Sequence, residues 1–130
     1  MILPGEIDAA SVVAEVRHIF DCYEAALNAN DLDALDGFFL NREFVVRFGI
    51  SENLYGIEAI RAFRKSRNAD GLKRNLMHTA IHTYGADFAT TTTEFVREGG
   101  ISGRQSQTWV RFPEGWRIVS AHVSVMKAAA

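Results

Sequence analysis

Residues 87–112, DFATTTTEFVREGGISGRQSQTWVRF, read as two β-strands joined by a tight turn. Threonine, valine and aromatic residues favour strands on both sides of the turn dipeptide Gly99-Gly100. So short a connection joins neighbouring antiparallel strands. Similar turn signals stand at 85–87 and 113–115. The second half of the chain therefore predicts four long antiparallel strands, over about 72–84, 87–98, 102–112 and 115–126.

The first half of the chain predicts helices. Apolar residues recur at three- and four-residue steps over about 8–29, which is the pattern of a helix with one buried face. Shorter helices are predicted over about 31–39 and 57–67, with a single strand over about 43–49 between them. We therefore expect an α+β fold, in which three N-terminal helices cover one face of a strongly curved, mostly antiparallel sheet.

The length, net charge and cysteine count restrict the class of protein. A chain of 130 residues fits one domain, 1–130, and a net charge of −2 argues against a nucleic-acid or anionic-membrane partner. The single cysteine, Cys22, excludes an internal disulfide and suits a cytoplasmic location. We find no signal peptide and no apolar stretch as long as a membrane span, so we expect a soluble cytoplasmic protein.

The predicted strand FVVRFG, residues 44–49, carries an arginine inside an apolar run. Alternation places Val45, Arg47 and Gly49 on one face. A buried guanidinium needs an anion, and two sources stay open. A distant acid such as Glu94, or a dimer contact, would make Arg47 a structural residue. A ligand carboxylate would make it a binding residue, for which its planar fork of donors is well suited.

The last two predicted strands are expected to line a pocket. A three-residue turn would pair Trp109 with Val119 and Gln107 with Ala121. Because the apolar set around Val119 suits the face covered by helices, Gln107 and Trp109 would reach the pocket, where amide and indole donors could bind a urea-like ligand. A β-bulge in this hairpin would reverse the assignment.

The opposite face of the final strand is then the outer one. Helices can cover only one side of the sheet, and this face is too apolar to be left in water. We expect a homodimer built sheet to sheet through Ile118, Ser120 and His122.

Histidines and the basic side of the third helix are further candidates. His78 and His82 would lie about 13 Å apart on a strand, too far for one metal ion, so neither a metal nor another cofactor is predicted. His78 could serve the pocket as an acid or base, or simply pack across strands. The basic side of the third helix consists of Arg61, Arg64, Lys65 and Arg67. It could be a solvated face, or Arg64 could attract anions to the mouth of the pocket.

Three segments resemble a known superfamily: DLDALDGFF (31–39), LYGIEAIRAF (54–63) and GWRIVSAHVS (115–124). They are similar to the SnoaL-like branch of the nuclear-transport-factor-two-like superfamily, whose cone-shaped α+β fold is also called cystatin-like. The resemblance implies a cavity at the heart of the sheet. It implies little about activity, because the superfamily includes isomerases, cyclases, hydrolases and non-enzymatic modules.

A narrower resemblance is carried by CYEAALNANDLDALDGFFL (22–40), VVRFGISENLYG (45–56) and GRQSQTWVRF (103–112). These segments are similar to the AtzH-like subfamily, found with amidases in oxalurate and cyanuric-acid breakdown. The subfamily includes deaminases of carboxylated ureas such as dicarboxyurea. A tyrosine and an arginine implicated in its activity match Tyr23 and Arg47. On the residues alone, Tyr23 could equally be a packed aromatic of the first helix.

Three functions therefore stay open. The first is a hydrolase or deaminase of a small anionic, urea-like amide, in which Arg47 holds a carboxylate and Tyr23 transfers a proton. The second is a non-catalytic partner of an amidase. The third is a SnoaL-like isomerase or hydrolase of an apolar ring, which is disfavoured because such a ligand would leave Arg47 unpaired.

Overall fold

The computed structural model, which describes residues 1–127, contains three α-helices and a six-stranded sheet, and the first two strands precede the third helix. After a 3-10 turn at Pro4–Glu6, the helices are α1 (Ala10–Ala29), α2 (Leu32–Gly37) and α3 (Ile57–Ser66). The strands are β1 (Val46–Phe48), β2 (Asn53–Tyr55), β3 (Arg74–Tyr84), β4 (Phe88–Arg97), β5 (Ser102–Phe112) and β6 (Gly115–Val125). Their order in the sheet is β2-β1-β6-β5-β4-β3, and only the β1–β6 pair is parallel among these residues. The predicted α+β class, with three helices in the N-terminal half and a curved sheet, is confirmed.

Polar caps set the boundary between α1 and α2. Asn30 takes the left-handed conformation (φ 51°, ψ 44°) and ends α1. The carboxylate of Asp31 then accepts a hydrogen bond from the Ala34 N–H at 3.2 Å and starts α2. α2 ends earlier than predicted because Phe39 leaves the helix to form a bridge with Ile118 in β6.

The region around FVVRFG forms a hairpin that the sequence analysis missed. The predicted strand over 43–49 is reduced to β1, and residues read as a loop contain β2, which pairs antiparallel with it. The Gly49 N–H donates to the Glu52 carbonyl at 2.9 Å and closes the turn. β1 also pairs in parallel with β6, which places Arg47 beside Ala121. As alternation predicted, Val45 and Arg47 are buried on the same face.

A β-bulge in β6 changes which residues face the helices. Gln107 pairs with Ala121 as expected, but Trp109 pairs with Ile118 rather than Val119. The extra residue turns Ile118 inward, where it is fully buried, so its predicted place on the outer face is wrong. Ser120 and His122 remain exposed on the outer face.

The inner face of the sheet divides into an apolar and a polar half. Trp109 and Ile118 pack under α1 with the buried stripe of that helix. Toward the other end, buried polar side chains of β3 and β5 replace the apolar ones: Arg74, Gln105 and Gln107. Among residues 1–127, no helix has the length and apolar character required to cross a membrane.

Candidate functional site

Five guanidiniums from separate parts of the chain gather between the helices and the sheet. They belong to Arg47 of β1, Arg64 of α3, Arg67 just after it, Arg74 of β3 and Arg97 of β4. The positive charges of Arg47, Arg64 and Arg97 all act on Arg67, so these groups surround one interior region. Within residues 1–127 only three carboxylates pair with the five groups, those of Glu24, Asp36 and Glu52. The cluster therefore has an excess of two positive charges and attracts anions.

Arg47 has a protein partner that sequence reasoning did not identify. Its Nη1 lies 3.1 Å from Oε1 of Glu52, across the β1–β2 turn, whereas the proposed partner Glu94 lies beside His78 instead. Gly49 makes the pair possible, because a Cβ at that position would lie 1.6 Å from the same Glu52 oxygen. Within residues 1–127, the other two guanidinium nitrogens of Arg47 make no hydrogen bond. Glu52 therefore occupies one of the three guanidinium nitrogens of Arg47, and the other two keep donors for a ligand.

Arg67 and Arg97 line a cavity of about 260 Å³ together with Arg47. Burial, followed by the neighbouring charges of Arg47 and Arg64, lowers the pKa of Arg67 to about 10, and Tyr23 partly opposes this change. Burial, followed by the charge of Arg74, also lowers the pKa of Arg97. Arg67 remains protonated at neutral pH, because about 10 is well above 7. Both guanidiniums would be relieved by an anion in the cavity.

Arg64 is a buried residue and does not guard the pocket mouth. It is 2% exposed, its Nη1 lies 3.2 Å from Oδ1 of Asp36, and its guanidinium stacks 4.8 Å from the centre of the Phe39 ring. Its Nε and Nη2 are buried without a hydrogen-bond partner among residues 1–127. The solvated-face interpretation holds only for the outward side of α3, where Arg61 pairs with Glu58 at 2.8 Å.

A chain of hydrogen bonds fixes the amide of Gln107. The indole Nε1–H of Trp109 donates to the Thr91 hydroxyl at 3.1 Å, and that hydroxyl donates to Oε1 of Gln107 at 3.2 Å. Since its oxygen is occupied, the amide presents Nε2, which is buried with no partner among residues 1–127. Gln107 therefore keeps its amide donors free, and its role in ligand binding stays a prediction. The Trp109 indole does not, because its only donor is used by Thr91.

A second glutamine is fixed in the same way two residues earlier. Glu24 of α1 binds Arg74 through both carboxylate oxygens, one of them 3.0 Å from Nε. Nη2 of Arg74 also donates to Oε1 of Gln105 at 2.8 Å. The amide nitrogen of Gln105 is left buried without a partner in the described part of the chain. Sequence reasoning missed this group, although Gln105 shares the inward parity of Gln107.

Tyr23 lies on the buried face of α1 beside the cluster. Its ring packs edge-on against Phe38 and Trp109, with centroids 5.6 and 6.5 Å away. The phenol is close enough to Arg67 to oppose the lowering of the Arg67 pKa that burial causes. Its hydroxyl makes no hydrogen bond within residues 1–127 and is free to interact with a ligand.

His78 is separated from the candidate site. It lies at an irregularity in the β3–β4 register, has a positive φ of 52°, and points outward with 78% of its side chain exposed. The prediction that His78 serves the pocket as an acid or base is therefore wrong. His82 is also exposed and lies 2.9 Å from Asp8. Across residues 1–127, no group of three histidine, cysteine, aspartate or glutamate side chains is arranged to hold a metal ion.

Comparisons with known proteins support both levels of resemblance. The AtzH-like family model matches residues 5–129. A crystal structure of a Pectobacterium atrosepticum protein of unknown function is 53% identical, with a TM-score of 0.95, covering 98% of this chain and all of that chain. A cystatin-like fold protein from Burkholderia xenovorans is 42% identical, with a TM-score of 0.90 and coverage of 95% and 98%.

More distant similarity concerns the fold alone. A nuclear-transport-factor-two-like protein of unknown function from Pseudomonas putida is 16% identical, with a TM-score of 0.78 and coverage of 92% and 90%. No curated protein matches this chain. The chain belongs to the AtzH-like family and has the cystatin-like fold of the nuclear-transport-factor-two-like superfamily.

Proposed function

We propose that the protein is a hydrolase that releases ammonia from a small carboxylated, urea-like amide. The observation that supports this proposal is the set of unpaired N–H groups around one interior region. Every one is a donor, and they come from Arg64, Arg67, Arg97, Gln105 and Gln107. Buried donors require acceptors, so the preferred ligand is rich in carboxylate and carbonyl oxygens. An apolar ring would leave them all unpaired.

Each residue has a role that follows from its free atoms. Arg47 anchors a carboxylate of the ligand, and the Gln107 amide donates to a carbonyl oxygen. When water attacks the carbonyl carbon, negative charge develops on that oxygen, and the fixed donors stabilise it. As the C–N bond breaks, Tyr23 passes its proton to the leaving nitrogen and recovers one from the attacking water. When that nitrogen carries a carboxylate, as in dicarboxyurea, the carbamate that leaves then loses CO₂ and yields ammonia. Trp109 contributes by packing against Tyr23 and by orienting Thr91, which in turn orients Gln107.

Tyr23→Phe is expected to lower turnover much more than binding. Loss of a positioned acid or base costs typically 10²- to 10⁴-fold in rate, whereas the phenyl ring keeps the packing against Phe38 and Trp109. The measurement is ammonia release from dicarboxyurea by the purified protein with no amidase present. Tyr84, the last residue of β3, provides the control, because it packs against Phe88 away from the site and Tyr84→Phe should behave as wild type. Ligand binding without any ammonia release by the wild-type protein would contradict the hydrolase and support an accessory role beside an amidase.

We also propose a homodimer formed through the outer face of the sheet, without Ile118. This face carries an aromatic cluster, in which the Phe48 ring lies 6.0 Å from Tyr55 and 5.7 Å from His122. The helices pack on the opposite face, so we expect a second copy of the chain to bury this outer face. Light scattering at micromolar concentration should give twice the monomer mass. His122→Glu should dissociate the dimer and the distant His82→Glu should not, while a wild-type monomer would overturn the proposal.

A further inference from the structure

We infer that Arg67, Arg97 and the Gln105 amide form a second anion-binding subsite that faces Arg47, so that the cavity selects ligands carrying two anionic groups. This inference rests on the proposed function, because it assigns further binding residues to the same site. It depends on three observations about Arg67, Arg97 and Gln105, to which the proposed chemical step assigns no individual role.

The first observation is that the two arginines have no carboxylate of their own. Arg47 is paired with Glu52, Arg64 with Asp36 and Arg74 with Glu24. Within residues 1–127, neither Arg67 nor Arg97 forms an ion pair, although Glu52 and Asp70 line the same cavity. The two positive charges that the cluster has in excess are therefore located on these residues.

The second observation is that their donors are buried and held in place. Nε and Nη2 of Arg67, Nε of Arg97 and the Gln105 amide nitrogen are buried without partners among residues 1–127. Arg67 stacks 5.8 Å from the centre of the Phe63 ring, and Arg97 stacks 5.3 Å from that of Phe95. Stacking restricts the guanidinium planes while leaving their edges free to donate in parallel to an oxyanion.

The position of Phe95 is itself fixed by a glycine on the neighbouring strand. Its ring lies over Gly103, where an added Cβ would come within 2.2 Å of a ring atom. The guanidinium of Arg74 also stacks on the Phe95 ring, 4.7 Å from its centre. Arg74 holds the oxygen of Gln105, so one aromatic ring arranges both the Arg97 and the Gln105 donors.

The third observation is that residues of both subsites line one cavity. Arg47 is on β1 and Arg97 on β4, with β6 and β5 between them. The strand register places Arg47 level with Thr91 of β4, six residues before Arg97, so the two backbones are offset along the strands as well as across them. Their side chains nevertheless line the same cavity of about 260 Å³, and the charge of Arg47 acts on Arg97. A ligand with anionic groups a few bonds apart can therefore contact both.

Calorimetric titration with malonate and with acetate, at fixed ionic strength, tests this inference. The wild-type protein should prefer malonate. Arg97→Met and Arg67→Met should each lower malonate affinity about tenfold to a hundredfold, because each removes charge-assisted hydrogen bonds. Acetate should lose less affinity than malonate in each variant, because a single carboxylate can still bind at Arg47. Arg104→Met, an exposed arginine of β5, is the matched control and should change neither affinity.

Thermal melts separate binding from a structural role. Removing one of several crowded guanidiniums should leave the melting temperature unchanged or raise it, because the repulsion among them is relieved. Equal losses for malonate and acetate, a lowered melting temperature with the malonate preference retained, or no measurable malonate binding to the wild-type protein would each overturn the subsite.

The outcomes also distinguish this subsite from the proposed chemistry. If the protein releases no ammonia but loses its malonate preference in Arg97→Met, the subsite stands and the hydrolase proposal fails. If Arg97→Met releases ammonia from dicarboxyurea with unchanged kinetics, the subsite fails and the hydrolase proposal stands.

Discussion

Replacing Arg47 with lysine is expected to remove most of the affinity for a carboxylate ligand while the protein stays folded. A lysine ammonium keeps the charge and can still approach Glu52, but it cannot donate two parallel hydrogen bonds to a second carboxylate. Truncating a buried, hydrogen-bonded charged partner costs roughly 2–5 kcal/mol, which is about thirty- to several-thousand-fold in affinity. Binding of acetate and the KM for the substrate should both reveal the loss.

Glu52→Gln is the control for a purely structural arginine. If Arg47 serves only the Glu52 ion pair, then Arg47→Lys and Glu52→Gln should affect stability and leave ligand affinity unchanged. If Arg47 anchors a ligand, Glu52→Gln should strengthen carboxylate binding, because it removes the protein's own competing anion from Nη1. A destabilised Arg47→Lys whose folded fraction binds acetate as well as wild type would contradict the anchor role.

The fold was predictable because its elements are long and strongly patterned. Strands of about ten residues with β-branched and aromatic side chains, separated by glycine turns, leave little choice of architecture. The bulge at Val119 was not predictable in position, since no glycine or proline marks it. A single inserted residue reverses the faces of a strand, and so Trp116 and Ile118 point inward while Ser120 points outward.

The candidate site was found where one polar residue interrupts an apolar pattern. Arg47 satisfies that rule, Gln107 follows from parity on its strand, and Tyr23 was identified only through the resemblance to the AtzH-like subfamily. Arg64 also repeats the inward spacing of Ile57 and Ile60, so helix periodicity alone could have placed it in the interior.

Arg67 and Arg97 were missed for a different reason. Both stand at the ends of their elements, one just beyond α3 and the other last in β4. Periodicity loses its meaning at such positions, because the direction of the side chain depends on how the chain leaves the element. Their convergence on one cavity is a property of tertiary structure.

Glu24→Ala is expected to be the most destabilising of the substitutions considered. Glu24 and Arg74 are both buried, and removing the carboxylate leaves a buried guanidinium whose remaining partner is the Gln105 oxygen. Breaking a buried ion pair on one side costs about 3–5 kcal/mol. For a domain of this size, that cost lowers the melting temperature by roughly 10–20 °C. Urea and thermal unfolding measure it directly.

The matched control is Glu58→Ala, which removes a glutamate paired with an arginine at the surface. An exposed pair contributes at most about 1 kcal/mol, so this variant should melt close to wild type. The double variant Glu24→Met/Arg74→Met should recover much of the lost stability, because apolar side chains need no counter-ion. It should not recover malonate affinity, since the Gln105 amide is no longer fixed by Arg74. If Glu24→Ala unfolds no more easily than Glu58→Ala, the ion pair does not hold α1 to the sheet, and the orientation assigned to Gln105 loses its support.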